Sequence, residues 1–213
     1  MSYLDSITTL QLDTLKEIGN IGAGNAATAL SQLVKKRVMM NVPSVRIATF
    51  DETMELAGGA DHVVASVYLR IEGDITGNMY FILSLSQAAR FINQMIGSNQ
   101  FSFDQQSNDD ELSLSALTEM GNILSGSYLS ALSDFTGMKI YPSVPVLGID
   151  MVGALLGYGL LEFSQVGDYA IIIDTDLTEF DSEEEKDVNG HFFLLPDPES
   201  FDTLFSTLGV KVL

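Results

Sequence analysis

Shifted by 102 residues, the chain falls onto itself. Leu12–Ile21 then lies over Leu114–Ile123, and ten of the twenty positions from Leu12 to Ser31 are identical. Gly24 meets Gly126, Ala29 meets Ala131, and Val42-Pro43 meets Val144-Pro145 without a gap. Self-similarity at a fixed offset decides architecture before any local reading does. The chain is therefore expected to be one domain, residues 1–213, made of two fused repeats at about 8–97 and 110–209. Farther along, Tyr80–Leu83 resembles Phe192–Leu195 at an offset of 112. The ten extra residues are expected in a solvated loop from Asp176 to Gly190, which holds Glu183, Glu184 and Glu185.

Each half reads as helix, strands, short helix, hairpin, helix. Leu12, Leu15, Gly19, Gly22, Ala26, Ala29, Leu30 and Leu33 recur at helical spacing, behind a capping box at Thr8 and Gln11. The β-branched and aromatic runs Val63–Leu69 and Met79–Leu83 predict hairpin strands, and Ser86–Ile96 predicts a second helix. The polar stretch 98–110 is the expected boundary between halves. The fold class is α+β, with pseudo-twofold symmetry and long helices packed on a largely antiparallel sheet shared by both halves.

Three and four residues apart on a helix, Asp13, Glu17, Asn20 and Gly24 form one stripe, and Ser115, Glu119, Asn122 and Gly126 repeat it. Asn is a poor helix-interior residue and Gly costs up to about 1 kcal/mol against Ala. Both copies keep them while exposed neighbours drift, Lys16 becoming Thr118 and Asn25 becoming Ser127. A local rule broken twice in the same place points to a functional site. Gly19 and Gly121, on the inner face, are expected to serve close packing instead.

Several chemistries are excluded. Twenty-nine acidic against ten basic residues give a net charge of −19, a field that repels nucleic acid and anionic membranes. No apolar run is long enough for membrane insertion. The absence of cysteine and of a leader-like N-terminus suggests a cytoplasmic protein. Gly22-Ala23-Gly24-Asn25-Ala26-Ala27 matches a dinucleotide fingerprint but lies inside a helical pattern rather than after a strand, and its copy has Leu124 in place of Gly22. The two histidines, His62 and His191, stand apart from the stripes, and no metal-ligand spacing occurs. The remaining chemistry is one whose partner brings the reactive parts. Phosphoryl transfer asks mainly for positioning, and a carboxamide, donor and acceptor at once, can place an attacking water.

The doubled pattern, Asp13 or Ser115, then Glu17/Asn20 or Glu119/Asn122, then Pro43 or Pro145 beyond twenty-two intervening residues, resembles the CheC/CheX/FliY phosphatases of bacterial chemotaxis. That resemblance implies hydrolysis of the aspartyl phosphate on the response regulator CheY. Asn20 and Asn122 would orient water and Glu17 and Glu119 would pair with the regulator's active-site Lys. No cofactor of the chain's own is implied, the Mg²⁺ belonging to the regulator. The resemblance also implies a partner, the receptor deamidase CheD, docking on a short helix at about 150–156 that includes Asp150. The competing expectation is a non-catalytic adaptor of the deamidase or of the flagellar switch.

Overall fold

The computed structural model describes residues 7–97, 101–104, 110–163, 169–179 and 186–208. The first half runs α1 (Thr9–Val34), β1 (Val38–Asn41), β2 (Val45–Thr49), α2 (Phe50–Leu56), β3 (Val63–Gly73), β4 (Gly77–Ser84) and α3 (Leu85–Ile96). The second repeats that order as α4 (Asp110–Thr136), β5 (Ile140–Pro142), β6 (Val146–Met151), α5 (Val152–Phe163), β7 (Tyr169–Glu179), β8 (Lys186–Pro196) and α6 (Pro198–Thr207).

α1 starts where Thr8 and Gln11 cap each other, the Gln11 amide donating to Thr8 Oγ1 and the Thr8 amide to Gln11 Oε1 at 2.8 Å. This capping satisfies N–H groups that the first turn leaves orphaned. The buried face of α1 is Gln11, Leu15, Ile18, Gly19, Gly22, Ala23, Ala26 and Leu30. Leu33 lies outside it and is exposed, so the stripe is rotated slightly from the one that spacing suggests. A Cβ on Gly22 would sit 2.9 Å from the Tyr128 Cα, which makes Gly22 the close contact between α1 and α4. Gly19 and Gly121 serve packing as expected, but against Val42 and Val67 respectively and not against the other helix.

Eight strands form one sheet in the order β1-β7-β8-β4-β3-β5, with β2 also on β7 and β6 also on β3, and every pair is antiparallel. The halves therefore exchange strands: β1 and β2 pair with the second half, β5 and β6 with the first. The helices α1, α3, α4 and α6 contribute to the larger core on one face of the sheet. On the other face a smaller cluster including Tyr80, Ile82, Ile172 and Phe193 is covered by Met54 of α2 and by Val152, Leu155 and Leu156 of α5.

Register corrects two expectations. Leu147 faces Val67 as Val45 faces Ile173, so β3 and β7 are related by 106 residues. Val67 then faces Phe81 as Ile173 faces Phe192, so β4 and β8 are related by 111 and not 112. The slip matters because one residue reverses every side chain on a strand. Phe81 and Phe192 are true equivalents, pair across the pseudo-twofold axis, and stack with ring centroids 4.6 Å apart. The expected loop from Asp176 to Gly190 is also largely strand. Asp176 pairs with Asn189 and Glu179 with Lys186, while β1 covers the other side of that strand end. Only 180–185, with the three glutamates, lie outside the described residues. Of the boundary at 98–110, Phe101 enters the core, held by Asn93, which accepts from its amide at 2.9 Å and donates to its carbonyl at 3.0 Å.

Candidate functional site

The two stripes lie on the exposed sides of α1 and α4. Asp13 and Glu17, and Ser115 and Glu119, are exposed, while Asn20 and Asn122 are half-buried at the edge of each helix. Among the described residues neither Glu17 nor Glu119 has an ion-pair or hydrogen-bond partner, so both carboxylates are available to an incoming cation. A Cβ built on Gly24 or Gly126 would meet nothing within 4 Å among the described residues. Neither glycine has a packing reason to be there, and each leaves bare helix backbone beside the Asn. The dinucleotide-like Gly22–Ala27 run is mid-helix, where no phosphate-binding turn can form.

The two asparagines differ. Asn20 Oδ1 accepts from the Val42 amide at 2.9 Å, and Nδ2 donates to the carbonyls of Lys16 at 3.1 Å and Val42 at 3.4 Å. Both of its donors are thereby committed. Asn122 makes no such bond among the described residues. The segment before the proline differs in parallel: Val42 is 1% exposed beneath Pro43, whereas Val144, before Pro145, is 83% exposed. The sequence does not distinguish the two segments, because Val-Pro stands at the same spacing in both.

A polar cluster that the sequence did not reveal lies beside the first stripe. Asp174 on β7 accepts from Ser44 Oγ, forms an ion pair with Arg46 at 3.1 Å and meets His191 Nδ1 at 2.9 Å. Burial would raise this carboxyl, but the His191 ring, the Ser44 hydroxyl and Arg46 together hold it below the usual carboxylate range. His191 is thus a satisfied histidine in a structural cluster. The residues at the equivalent positions, Tyr68 for Asp174 and Val146 for Ser44, cannot build it.

Asp150, expected on a short helix, is instead an exposed residue near the end of β6, its Oδ1 accepting from the Met151 amide at 2.7 Å. The helix begins two residues later, at Val152, and runs to Phe163. Around Asp150, the sheet edge exposes Val63, Val146, Ile149 and Met151.

A duplicated α+β domain carrying one Glu-x-x-Asn stripe per half is the class of protein that fold and site define. The model of the CheC-like family matches residues 10–47 and 112–149, the two stripes with their proline segments. The chain is 46% identical over 212 residues to the CheY-P phosphatase CheC of Bacillus subtilis, covering the whole of both chains. It belongs to the CheC-like family. It is also 28% identical over 142 residues to the flagellar motor switch phosphatase FliY of Bacillus subtilis, covering 67% of this chain and 36% of that one. The crystal structure of Thermotoga maritima FliY superposes with a TM-score of 0.69 at 19% identity, covering 95% of this chain and 97% of the other, which is a likeness of fold.

Proposed function

We propose that this protein hydrolyses the aspartyl phosphate of a CheY-type response regulator. The water oxygen attacks phosphorus as the bond to the regulator's aspartyl oxygen breaks, releasing inorganic phosphate and a free carboxylate. Such a reaction needs little covalent chemistry from the catalyst, mostly a water held in line. The carrying observation is the pair of stripes, each offering a free carboxylate, a carboxamide and a bare glycine on one helix face. In this reading Asn20 and Asn122 orient the water. Glu17 and Glu119 pair with the regulator's active-site Lys, offsetting the repulsion between a protein of net charge −19 and an acidic phosphoryl pocket. The backbone left bare at Gly24 and Gly126 lets the regulator approach closely. Asp13, Ser115, Pro43 and Pro145 support the stripes, and the regulator supplies Mg²⁺.

Two assays test this reading. Phosphate release from phosphorylated CheY, followed with and without the protein, should accelerate at sub-stoichiometric protein. Release at the regulator's own rate would leave the adaptor reading. Exchanging both Glu17 and Glu119 for Gln should weaken apparent affinity more than turnover at saturating regulator, and a pure turnover defect would reassign the carboxylates.

The edge strand β6 is a separate surface, on which we place CheD. Its C-terminal end exposes Ile149 and Met151 on one side of the strand and the Asp150 carboxylate on the other. Asp150→Arg should abolish CheD binding in a pull-down while leaving phosphate release unchanged. Retained binding would move the CheD surface elsewhere.

A further inference from the structure

We infer that stripe one is a latched site, and that Ser44 and Asp174 are positioning residues that keep Asn20 engaged with Val42. The inference rests on the phosphatase reading for its functional half only. The Val42–Ser44 segment is held from both sides. On the helix side, Asn20 takes both backbone groups of Val42, and the Val42 side chain packs over Gly19, where a Cβ would lie 3.2 Å from Val42 Cγ2. On the sheet side, Ser44 Oγ donates to Asp174 Oδ2, and the Asp174 amide donates to the Ser44 carbonyl at 3.1 Å. Asp174 is itself fixed by His191 and Arg46. A segment anchored two residues from the clamp has little freedom to leave it.

The second half supplies the control. Its equivalents of Ser44 and Asp174 are Val146 and Tyr68, which keep the ladder pairing but have no carboxylate–hydroxyl anchor. There Val144 stands 83% exposed and Asn122 is unclamped among the described residues. The clamp thus accompanies the anchor, although Gly, Asn, Val and Pro are identical in the two copies.

The consequence follows from hydrogen-bond capacity. A water-orienting carboxamide that both accepts and donates needs a free N–H, and Asn20 has none while latched. Stripe one turns over only in molecules whose Val42 segment has lifted, and its apparent activity falls by the fraction that has not. Stripe two works without that step.

The test has an arm that does not depend on activity. Amide hydrogen exchange at Val42, read by NMR, should be protected in the parent and at least tenfold faster in Ser44→Ala and Asp174→Asn, with protection restored in Ser44→Thr, which keeps the hydroxyl. Exchange at Val42 unchanged by Ser44→Ala would overturn the anchor. In the second arm Asn122→Ala isolates stripe one, and adding Ser44→Ala should raise kcat for phosphate release severalfold with KM little changed. Faster exchange without a rise in kcat would overturn the latch as a limit on activity. If the parent itself releases no phosphate, the proposed function fails, while the exchange arm still decides whether Ser44 and Asp174 hold the segment.

Discussion

The stripe on α1 and the stripe on α4 carry the same Glu, Asn and Gly at the same spacing, with Asp13 in one and Ser115 in the other, yet one is closed and the other open. Asn20 is spent on the backbone of a buried valine, whereas the Asn122 side chain makes no hydrogen bond among the described residues and the equivalent valine, Val144, is exposed. Within the stripes only Asp13 against Ser115 separates them. The difference follows instead what the proline segment rests on, Ser44 and Asp174 against Val146 and Tyr68. A duplicated site can thus diverge without losing any motif residue, through what its supporting segment rests on.

The largest expected effect that sharpens this comparison is on activity. Asn122→Ala should remove most of the phosphate release and Asn20→Ala the smaller part, with the two single-mutant activities summing to roughly the parent. Removing one preorganised polar group costs about 10²–10³ in rate at its own site. A steady-state release assay on both variants checks the ratio. An equal split would mean that the latch does not limit stripe one, and full loss from either change would mean one composite site.

Stability should move in opposite directions for the same two substitutions. Asn20→Ala strips the Val42 amide and carbonyl of partners in a buried segment and should cost about 1–2 kcal/mol. Asn122→Ala removes no bond among the described residues and should stabilise α4 by a few tenths of a kcal/mol, since Ala is the better helix former. Urea unfolding of both proteins reads the sign, and identical shifts would erase the structural distinction between the stripes.

Gly24→Ala and Gly126→Ala break the comparison in another direction, because here the stripes are alike. Each Cβ enters open space, so each change should add up to about 1 kcal/mol of stability. Loss of regulator affinity alongside that gain would mark the bare backbone as the docking surface. Gly22→Ala, which would press on the Tyr128 backbone, should destabilise instead.

The smallest expected effect is the pH dependence of the anchor. The Asp174 carboxyl is held below its ordinary value in the folded state, so its contribution is complete above the unfolded value of about 3.9 and fades as pH falls through the folded one. The stability difference between the parent and Asp174→Asn, measured by urea midpoints from pH 6 downward, should hold steady and then shrink below about pH 4. A difference independent of pH down to acid unfolding would mean that the Asp174 charge contributes nothing to the anchor.

What could be read from the sequence follows the reach of each interaction. The long helices, their cap at Thr8 and the twin stripes are visible because helical spacing and an internal copy are local signals. The hairpin strands are visible too, from their β-branched and aromatic runs. A sheet shared by both halves follows from the duplication, but which strands cross does not, since nothing in the short strands Val38–Asn41 or Ile140–Pro142 names a partner more than sixty residues away. In a run of aromatics Phe192 matches Tyr80 as readily as Phe81, and only hydrogen-bond register singles out Phe81. The acidic content around 183–185 suggested a loop, but pairing to β1 and β8 extends β7 through Glu179. The difference between Val42 and Val144 is invisible in a dipeptide that both copies share.

The most direct test of the account is phosphate release from phosphorylated CheY by the Asn20→Ala/Asn122→Ala double variant, with its fold verified by circular dichroism. The account predicts release no faster than the regulator alone, at least a hundredfold below the parent. Release near the parent rate from a folded double variant would contradict the assignment of the water-orienting role to these two asparagines.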